Sequence, residues 1–259
     1  MKTEFVTIEH GGMWGGRLLL FDSLPSTNRW ALDNLTRCKN GDVINAAMQT
    51  AGKGRFSREW LAPHDRGLTI STILRPPNVK TGLIHATGFV AALAVRETVA
   101  ACGLQCMMKW PNDVIAGGKK ISGILAELET ASETIVLGIG LNVNVTSEDL
   151  RKAGLEETAT SLRICRNSEF AVHDVRKRLI VSLQRAFDKV AHDGFEWVAN
   201  EWAHHDWLAG HTIEVQGPHG AVSGKYDGMD NTGAICLIDS AGTRQVFTAG
   251  DIVRLRKAQ

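Results

Sequence analysis

The feature that most constrains the fold is a change of texture at Leu208-Ala209-Gly210. Upstream, strand-like runs alternate with long apolar helical stretches, the pattern of helices packed on a sheet. Downstream, residues 211–256 are short β-like runs split by Gly217-Pro218, Asp227-Gly228, Asn231-Thr232-Gly233 and Ala241-Gly242. Each of these is a turn signal, and their spacing predicts a small all-β module. The chain therefore divides into residues 1–208 and 209–259, in the α+β class. At 259 residues it is long enough for one large core and one small one.

Within the first part, Arg17–Phe21 reads as a strand, and Pro25-Ser26-Thr27-Asn28 opens a helix with Ser or Thr as its cap. Asp42–Met48 is a second strand, and residues 50–60 form a loop without periodicity. Leu68–Leu74 alternates with Ser and Thr and stops at Pro76-Pro77. Gly82–Ala101 is a near-continuously apolar helix, which argues for burial. Met107–Trp110 is a short strand interrupted by Pro111-Asn112-Asp113 and resumed at Val114–Ala116, with a turn at Gly117-Gly118. Lys120–Leu128 and Thr134–Val145 read as a hairpin pair. Phe170–His192 and Phe195 to about His205 read as amphipathic helices.

Charge and cysteine usage narrow the function class. Lys plus Arg is 29 and Asp plus Glu is 28, a net charge of +1, whereas a protein that lives on nucleic-acid phosphate is usually far more basic. The longest apolar run, Gly88–Val95, falls well short of the roughly 20 residues a membrane helix needs. Met1–His10 carries both charge signs and no apolar core, so no signal peptide is expected. The 5 cysteines are an odd set in a chain that needs no staples, which points to the cytoplasm. Cys102 and Cys106 have no further ligands nearby, so no metal site is expected and buried thiols are the better reading.

Several segments carry chemistry-bearing residues at unusual density. Gly52-Lys53-Gly54-Arg55-Phe56-Ser57-Arg58-Glu59-Trp60 places cations and glycines together. Glycines let backbone N–H groups approach an anion, and cations add charge-assisted hydrogen bonds. A solvated basic loop is the competing reading. The loop is neither a Walker A sequence nor a dinucleotide fingerprint. Lys109-Trp110-Pro111-Asn112-Asp113 crowds polar groups at a strand end, where ligands often sit, although taken alone a surface turn with Asn-Asp turn chemistry is the better reading. Gly123 inside Lys119–Leu125, and Gly138, Gly140, Asn142 and Asn144 inside an apolar strand, suggest close approach of a ligand or simply a bulge or twist. His204-His205-Asp206 reads as a polar helix end rather than a metal site. Trp197, Trp202 and Trp207 read as docking residues. There is no Gly-x-Ser-x-Gly elbow.

In their order, Ser26-Thr27-Asn28, the 52–60 loop, Lys109–Asp113, Lys120–Leu125, Gly138–Asn142 and a terminal small β module, these segments resemble the biotin protein ligases, from about Arg17 to Arg256. The resemblance implies a mixed-sheet catalytic domain with flanking helices, of the class II synthetase-like biotin–lipoate ligase fold, and a small SH3-like β-barrel. It implies activation of biotin by ATP to biotinyl-5′-AMP, then transfer to a lysine of a biotin carboxyl carrier protein or domain of a biotin-dependent carboxylase. Mg²⁺ would arrive with ATP.

By the same resemblance, Ser26, Thr27 and Gln49 would bind the ureido head of biotin, and Asn28 would belong to the biotin site with them. Gly52, Lys53, Gly54 and Arg55 would close over its tail and the phosphate, and Lys120 and Gly123 would line the biotin site. Arg58 and Trp60 would hold the nucleotide, with Arg55, Asn112, Gly138, Gly140 and Asn142 around the adenylate. Lys109, Arg55 and Lys53 would be catalytic, Lys109 neutralising charge as carboxylate meets phosphate.

Lys53 stands where the family loop often has arginine, keeping the charge and losing the bidentate fork. Some relatives carry an N-terminal helix-turn-helix. Here Gly11, Gly12, Gly15 and Gly16 fall in the short stretch before the first strand, so a ligase without repressor function is expected. A homodimer through an exposed strand is compatible with the pattern. The rival readings are a lipoate or octanoate ligase or transferase of the same fold, which would need a more apolar end for the acyl chain, and a non-catalytic biotin sensor.

Overall fold

A computed structural model describes residues 7–75, 81–217 and 220–257. The elements, in chain order, are β1 (Thr7–His10), β2 (Arg17–Leu24), α1 (Thr27–Asp33), β3 (Val43–Gln49), β4 (Gly67–Leu74), α2 (Thr81–Ala101), β5 (Met107–Lys109), β6 (Asp113–Ala116), β7 (Lys119–Glu129) and β8 (Thr134–Asn142). After them come α3 (Ser147–Lys152), α4 (Leu162–Arg166), α5 (Val172–His204), β9 (His211–Gly217), β10 (Gly220–Met229), β11 (Ile235–Ile238), β12 (Arg244–Phe247) and β13 (Asp251–Lys257).

The first eight strands form one sheet in the order β1-β2-β3-β4-β8-β7-β6-β5. Only β2 and β3 run parallel, joined by α1; every other neighbour is antiparallel. Ser26 starts α1 because its extended backbone lets its side chain accept from Arg29 N–H. Strand alternation sends Leu18, Val43, Leu68 and Ile70 to a core beneath α2 and α5, and Leu19, Ile44 and Ile73 to a smaller one beneath α1. At the start of β2 and β3, buried Asp42 accepts from Arg17 through its backbone N–H and its guanidinium.

The last five strands form an antiparallel sheet in the order β12-β11-β10-β9-β13. This is the small SH3-like β module expected from the sequence, with β12 and β13 at its edges not paired with each other among the described residues. Its inward residues Ile213, Val215, Tyr226, Ile235 and Leu237 belong to the same core cluster as α2 and α5. Two buried polar contacts reinforce this junction. Trp110 Nε1 donates to Gly233 O at 3.0 Å, and the Tyr226 hydroxyl donates to the Asp206 carboxylate.

Several expectations change in detail. Val114–Ala116 does not resume the strand before it: the chain reverses at Pro111-Asn112, and β6 returns antiparallel with Asp113 opposite Lys109. β1, α3 and α4 go beyond the elements expected from the sequence, although Thr146 and Asp149 form a capping box that starts α3. The two predicted C-terminal helices are both present, as the two halves of α5 separated by a non-helical Gly194 with φ +74 and ψ −177. Asp206 lies just past the end of α5 and is buried. It is 4% exposed, and the backbone around it pairs with β5, Met108 N–H donating to His205 O and Trp207 N–H to Met108 O. Burial pushes its carboxyl up from the ordinary range.

Trp202 packs edge-on against Phe89 at 5.0 Å, and Trp207 stacks on His211. All five cysteines are free, and burial pushes the Cys106 thiol up to about 12. Pro76, Pro77, Pro218 and Met1–Val6 lie outside the described residues.

Candidate active site

One row of the large sheet builds the floor of a cleft. Pairing carries Ala46 of β3 to Thr69 of β4, Thr69 to Gly140 of β8, Gly140 to Gly123 of β7, Gly123 to Asp113 of β6, and Asp113 to Lys109 of β5. Residues paired in register project to the same face, so segments far apart in sequence meet on one surface. The next row carries Ile44, Ser71, Gly138 and Leu125. The cleft above these rows encloses about 520 Å³.

The glycines in these rows make room for particular side chains. A Cβ on Gly140 would lie 2.2 Å from Trp60 Cε2, and one on Gly138 would lie 2.3 Å from Asn28 Oδ1. Gly123 faces the Trp60 ring and the end of Lys120 at about 3 Å. Gly138 was expected as floor beneath a ligand; its missing Cβ in fact seats Asn28, and that of Gly140 seats the Trp60 indole.

Of the residues singled out from the sequence, Ser26, Thr27, Asn28, Gln49, Lys53, Gly54, Arg55, Arg58, Trp60, Lys109, Asn112, Lys120, Gly123, Gly138, Gly140 and Asn142 all line this cleft. Gly52 does not. It sits behind, where a Cβ would meet Trp60 O at 2.6 Å and Gln49 Nε2 at 2.8 Å, so it lets the loop turn tightly against β3.

At one end of the cleft, Gln49 Oε1 receives the Thr27 backbone N–H at 2.7 Å and lies 3.0 Å from Thr27 Oγ1. At the other, Lys120 Nζ pairs with Asp113 Oδ1 at 2.6 Å and lies 5.6 Å from the centre of the Trp60 ring. Asn112 and Asn142 are held by the backbone: their Nδ2 groups donate to Ile124 O at 2.8 Å and to Thr160 O at 2.9 Å.

The roof is the 52–60 loop. Gly54 N–H donates to Arg58 O at 2.7 Å and Trp60 N–H to Gly52 O at 2.9 Å. Phe56, between them, is 68% exposed and holds a left-handed backbone with φ +54, uncommon for a bulky residue. The roof is tied to the small sheet. Arg55 Nη2 donates to Gly250 O at 3.2 Å, and Arg58 forms an ion pair with Asp251. Burial pulls the Arg55 guanidinium below its ordinary value, with Asp251 and Asp113 opposing, yet an arginine stays charged throughout the working pH range.

Five cationic side chains and three carboxylates line the cleft. Lys53 and Lys109 make no ion pair among the described residues, so positive charge faces the opening uncompensated. The site therefore suits a ligand with an anionic centre and a polar head, held over a flat, partly apolar floor.

Several lining residues were missed from the sequence. Asp113 belongs to the Lys109–Asp113 segment singled out from the sequence but was given no role of its own. Asp251, Ile252 and Val253 come from the small sheet, and Leu150, Leu155, Thr158 and Ala159 form a wall whose backbone pairs with Lys120. Ser71, just below the floor, had a signal: it is one of the polar residues alternating along an otherwise apolar strand. Among the described residues no group of three or more His, Cys, Asp or Glu side chains is arranged to hold a metal, and no helix is long and apolar enough to cross a membrane.

The profile of the Biotin/lipoate A/B protein ligase family matches residues 20–144, and that of the Biotin protein ligase C terminal domain matches residues 209–255. The chain is 32% identical over 245 residues to the biotin--[acetyl-CoA-carboxylase] ligase of Mycobacterium tuberculosis, covering 91% of this chain and 89% of that protein. It is 30% identical over 239 residues to the bifunctional ligase/repressor BirA of Bacillus spizizenii, covering 91% of this chain and 73% of that protein. The biotin protein ligase of Aquifex aeolicus, solved in complex with biotin and ATP, shares the fold with a TM-score of 0.80 and 24% identity, over 93% of this chain and 99% of that one. With profiles matching in both sheets and relatives aligned along almost the whole length, the chain belongs to the biotin protein ligase family.

Proposed function

We propose that this protein activates biotin with ATP to biotinyl-5′-AMP, releasing pyrophosphate, and then transfers the biotinyl group to a lysine of a biotin carboxyl carrier domain. The observation that carries the reading is the row Thr69–Gly140–Gly123–Asp113–Lys109 beneath the 52–60 loop. It sets an uncompensated ammonium at one end of a small-residue floor, under a cation-rich roof. The Mycobacterium tuberculosis relative is named for acetyl-CoA carboxylase, which supports a carboxylase carrier domain as acceptor.

In the first step a biotin carboxylate oxygen attacks the α-phosphorus, an O–P bond forms, and the α–β bridge breaks with its electrons leaving on pyrophosphate. Both partners are anions, so the step needs positive charge in a site poor in water. Lys109 meets the developing charge, Lys53 and Arg55 cover the phosphate from the roof, and Arg58 and Trp60 hold the nucleotide, with Asn112, Gly138, Gly140 and Asn142 around it. Ser26, Thr27 and Gln49 take the ureido head with the Asn28 amide behind them, and Gly54, Lys120 and Gly123 shape the rest of the biotin site, Gly52 letting the loop turn behind it. Mg²⁺ binds mostly through substrate phosphates in such sites, so it would arrive with ATP. In the second step the acceptor lysine amine attacks the acyl carbon and AMP leaves. Residues 1–208 carry this chemistry, and residues 209–259 brace the roof.

The test is exchange of labelled pyrophosphate into ATP with biotin, lipoate, octanoate or no acid. Exchange with biotin alone is the expected result. Exchange only with lipoate or octanoate, or with none despite biotin binding, overturns the reading. Lys109→Ala should slow exchange by about a hundredfold, the scale of one lost electrostatic stabiliser, while calorimetric biotin affinity changes far less. Equal losses would remove the role given to Lys109.

A further inference from the structure

A line of polar contacts runs behind the cleft wall. Asn28 lies over Gly138, and its Nδ2 donates to Leu125 O at 3.2 Å and to Glu127 Oε2 at 2.7 Å. Both partners are acceptors, so the nitrogen must face β7 and the oxygen must face β4. There Asn28 Oδ1 lies 2.6 Å from Ser71 Oγ, and Ser71 Oγ lies 2.7 Å from Thr27 Oγ1. Thr27 Oγ1 in turn lies 3.0 Å from Gln49 Oε1, whose identity as oxygen is set by the Thr27 backbone N–H it receives.

Two hydroxyl protons serve three oxygen–oxygen contacts. The Ser71–Asn28 contact is the shortest of them, and only Ser71 has a proton for it, since an amide oxygen has none. The Ser71–Thr27 contact then takes the proton of Thr27. Nothing is left for the third. Thr27 Oγ1 and Gln49 Oε1 stand side by side on the cleft wall as acceptors with no proton between them. Two largely desolvated acceptors facing each other are unfavourable until a donor arrives.

We propose that Glu127, Asn28 and Ser71 set this polarity, and that Ser71, fully buried and outside the cleft, is a specificity-determining positioning residue. The chain selects an acid whose head presents adjacent N–H donors. This rests on the biotin reading above and deepens it: a cyclic urea carries two N–H groups, whereas a dithiolane ring or an alkyl chain carries none and leaves Thr27 Oγ1 without a donor and Gln49 Oε1 with only the Thr27 N–H. Sites built to bind a substrate N–H reject analogues that lack it, because their own polar groups are then stranded.

The experiment compares biotin with its two cyclic carbamate analogues, each with one ureido N–H replaced by oxygen, by titration calorimetry on wild type and Ser71→Ala. Wild type should bind at least one carbamate about tenfold or more weaker than biotin, the scale of one buried hydrogen bond lost and one acceptor stranded. In Ser71→Ala the Thr27 proton is free to turn toward the ligand, so the ratio should fall to within about threefold. Ser71→Thr, which keeps the hydroxyl, should restore discrimination. Should Ser71→Ala melt too low to titrate, Glu127→Leu at the half-exposed end of the chain should lower the ratio in the same direction. Unchanged ratios in a folded variant that still binds biotin overturn the proposal. Failure of the wild type to bind biotin overturns the biotin reading instead.

Discussion

The floor of the cleft is a product of strand register, whereas its roof hangs from a few side-chain contacts to the small sheet. Thr69, Gly140, Gly123, Asp113 and Lys109 cannot shift singly, because each is paired on both sides or closes the row. Apart from the Trp60 indole seated on the floor, the 52–60 loop meets the small sheet through one backbone acceptor, Gly250 O, and through the Arg58–Asp251 pair, in which the Arg58 side chain is 67% exposed. A register-built surface is rigid and costs a great deal to distort. A loop on exposed polar contacts sits at the low-stability end of a structure, where segments that must open for ligand are drawn from. The two halves of the same site therefore differ in what disturbs them.

The sharpest way to break that contrast is to attack the floor. Gly140→Val places a side chain where the Trp60 indole lies, at 2.2 Å for the Cβ alone. It should reduce biotin-dependent pyrophosphate exchange by about a hundredfold, the scale of an ångström-sized misplacement in an active site. Activity within a few-fold of wild type would mean that the Trp60 seat is dispensable.

The roof should answer more mildly. Asp251→Asn removes the counter-charge of Arg58, and exposed pairs contribute only about 0–1 kcal/mol. KM for ATP should change by no more than about fivefold, with a weaker salt dependence than wild type and little change in biotin affinity. A loss as large as that of the floor variant would erase the distinction.

The smallest effect lies in acid, and it should touch the sheet before the roof. Burial alone would raise the Asp42 carboxyl, but hydrogen bonds from the Arg17 side chain and from the Lys39 and Arg17 backbone outweigh it, so it sits below the ordinary carboxylate value. The pair's stabilisation is thus complete above the ordinary value, near pH 4, and is lost as pH falls from there through the depressed value. Asp42→Asn should lower the melting temperature at pH 7 and flatten its decline below about pH 4. An unchanged acid limb would show that other carboxylates govern it.

Local chemistry made much of the site legible. The 52–60 loop, the Ser26 cap and the glycines at 123, 138 and 140 announce themselves because glycines and clustered cations are costly or useless unless something needs them. The purpose of those glycines was not legible. Nothing in a strand containing Gly138 and Gly140 says that Asn28 and Trp60, 110 and 80 residues earlier, rest on them. The reversal at Pro111-Asn112 was misread for a related reason. A short strand interrupted by a turn looks the same whether the chain resumes or returns, and only the pairing of Asp113 with Lys109 decides.

By itself, then, the sequence determined the two-part organisation, most strands and helices, and the segments that meet at the cleft, because these follow from hydrophobic period, turn residues and capping, all of them local. Tertiary structure alone decided which residues share the floor, that Gly250 and Asp251 tie down the roof, and that Ser71 governs the protons at one end of the cleft. Those outcomes depend on strand register and on contacts between distant residues. Alternation along a strand says which residues share a face, but only the neighbouring strands say what that face meets.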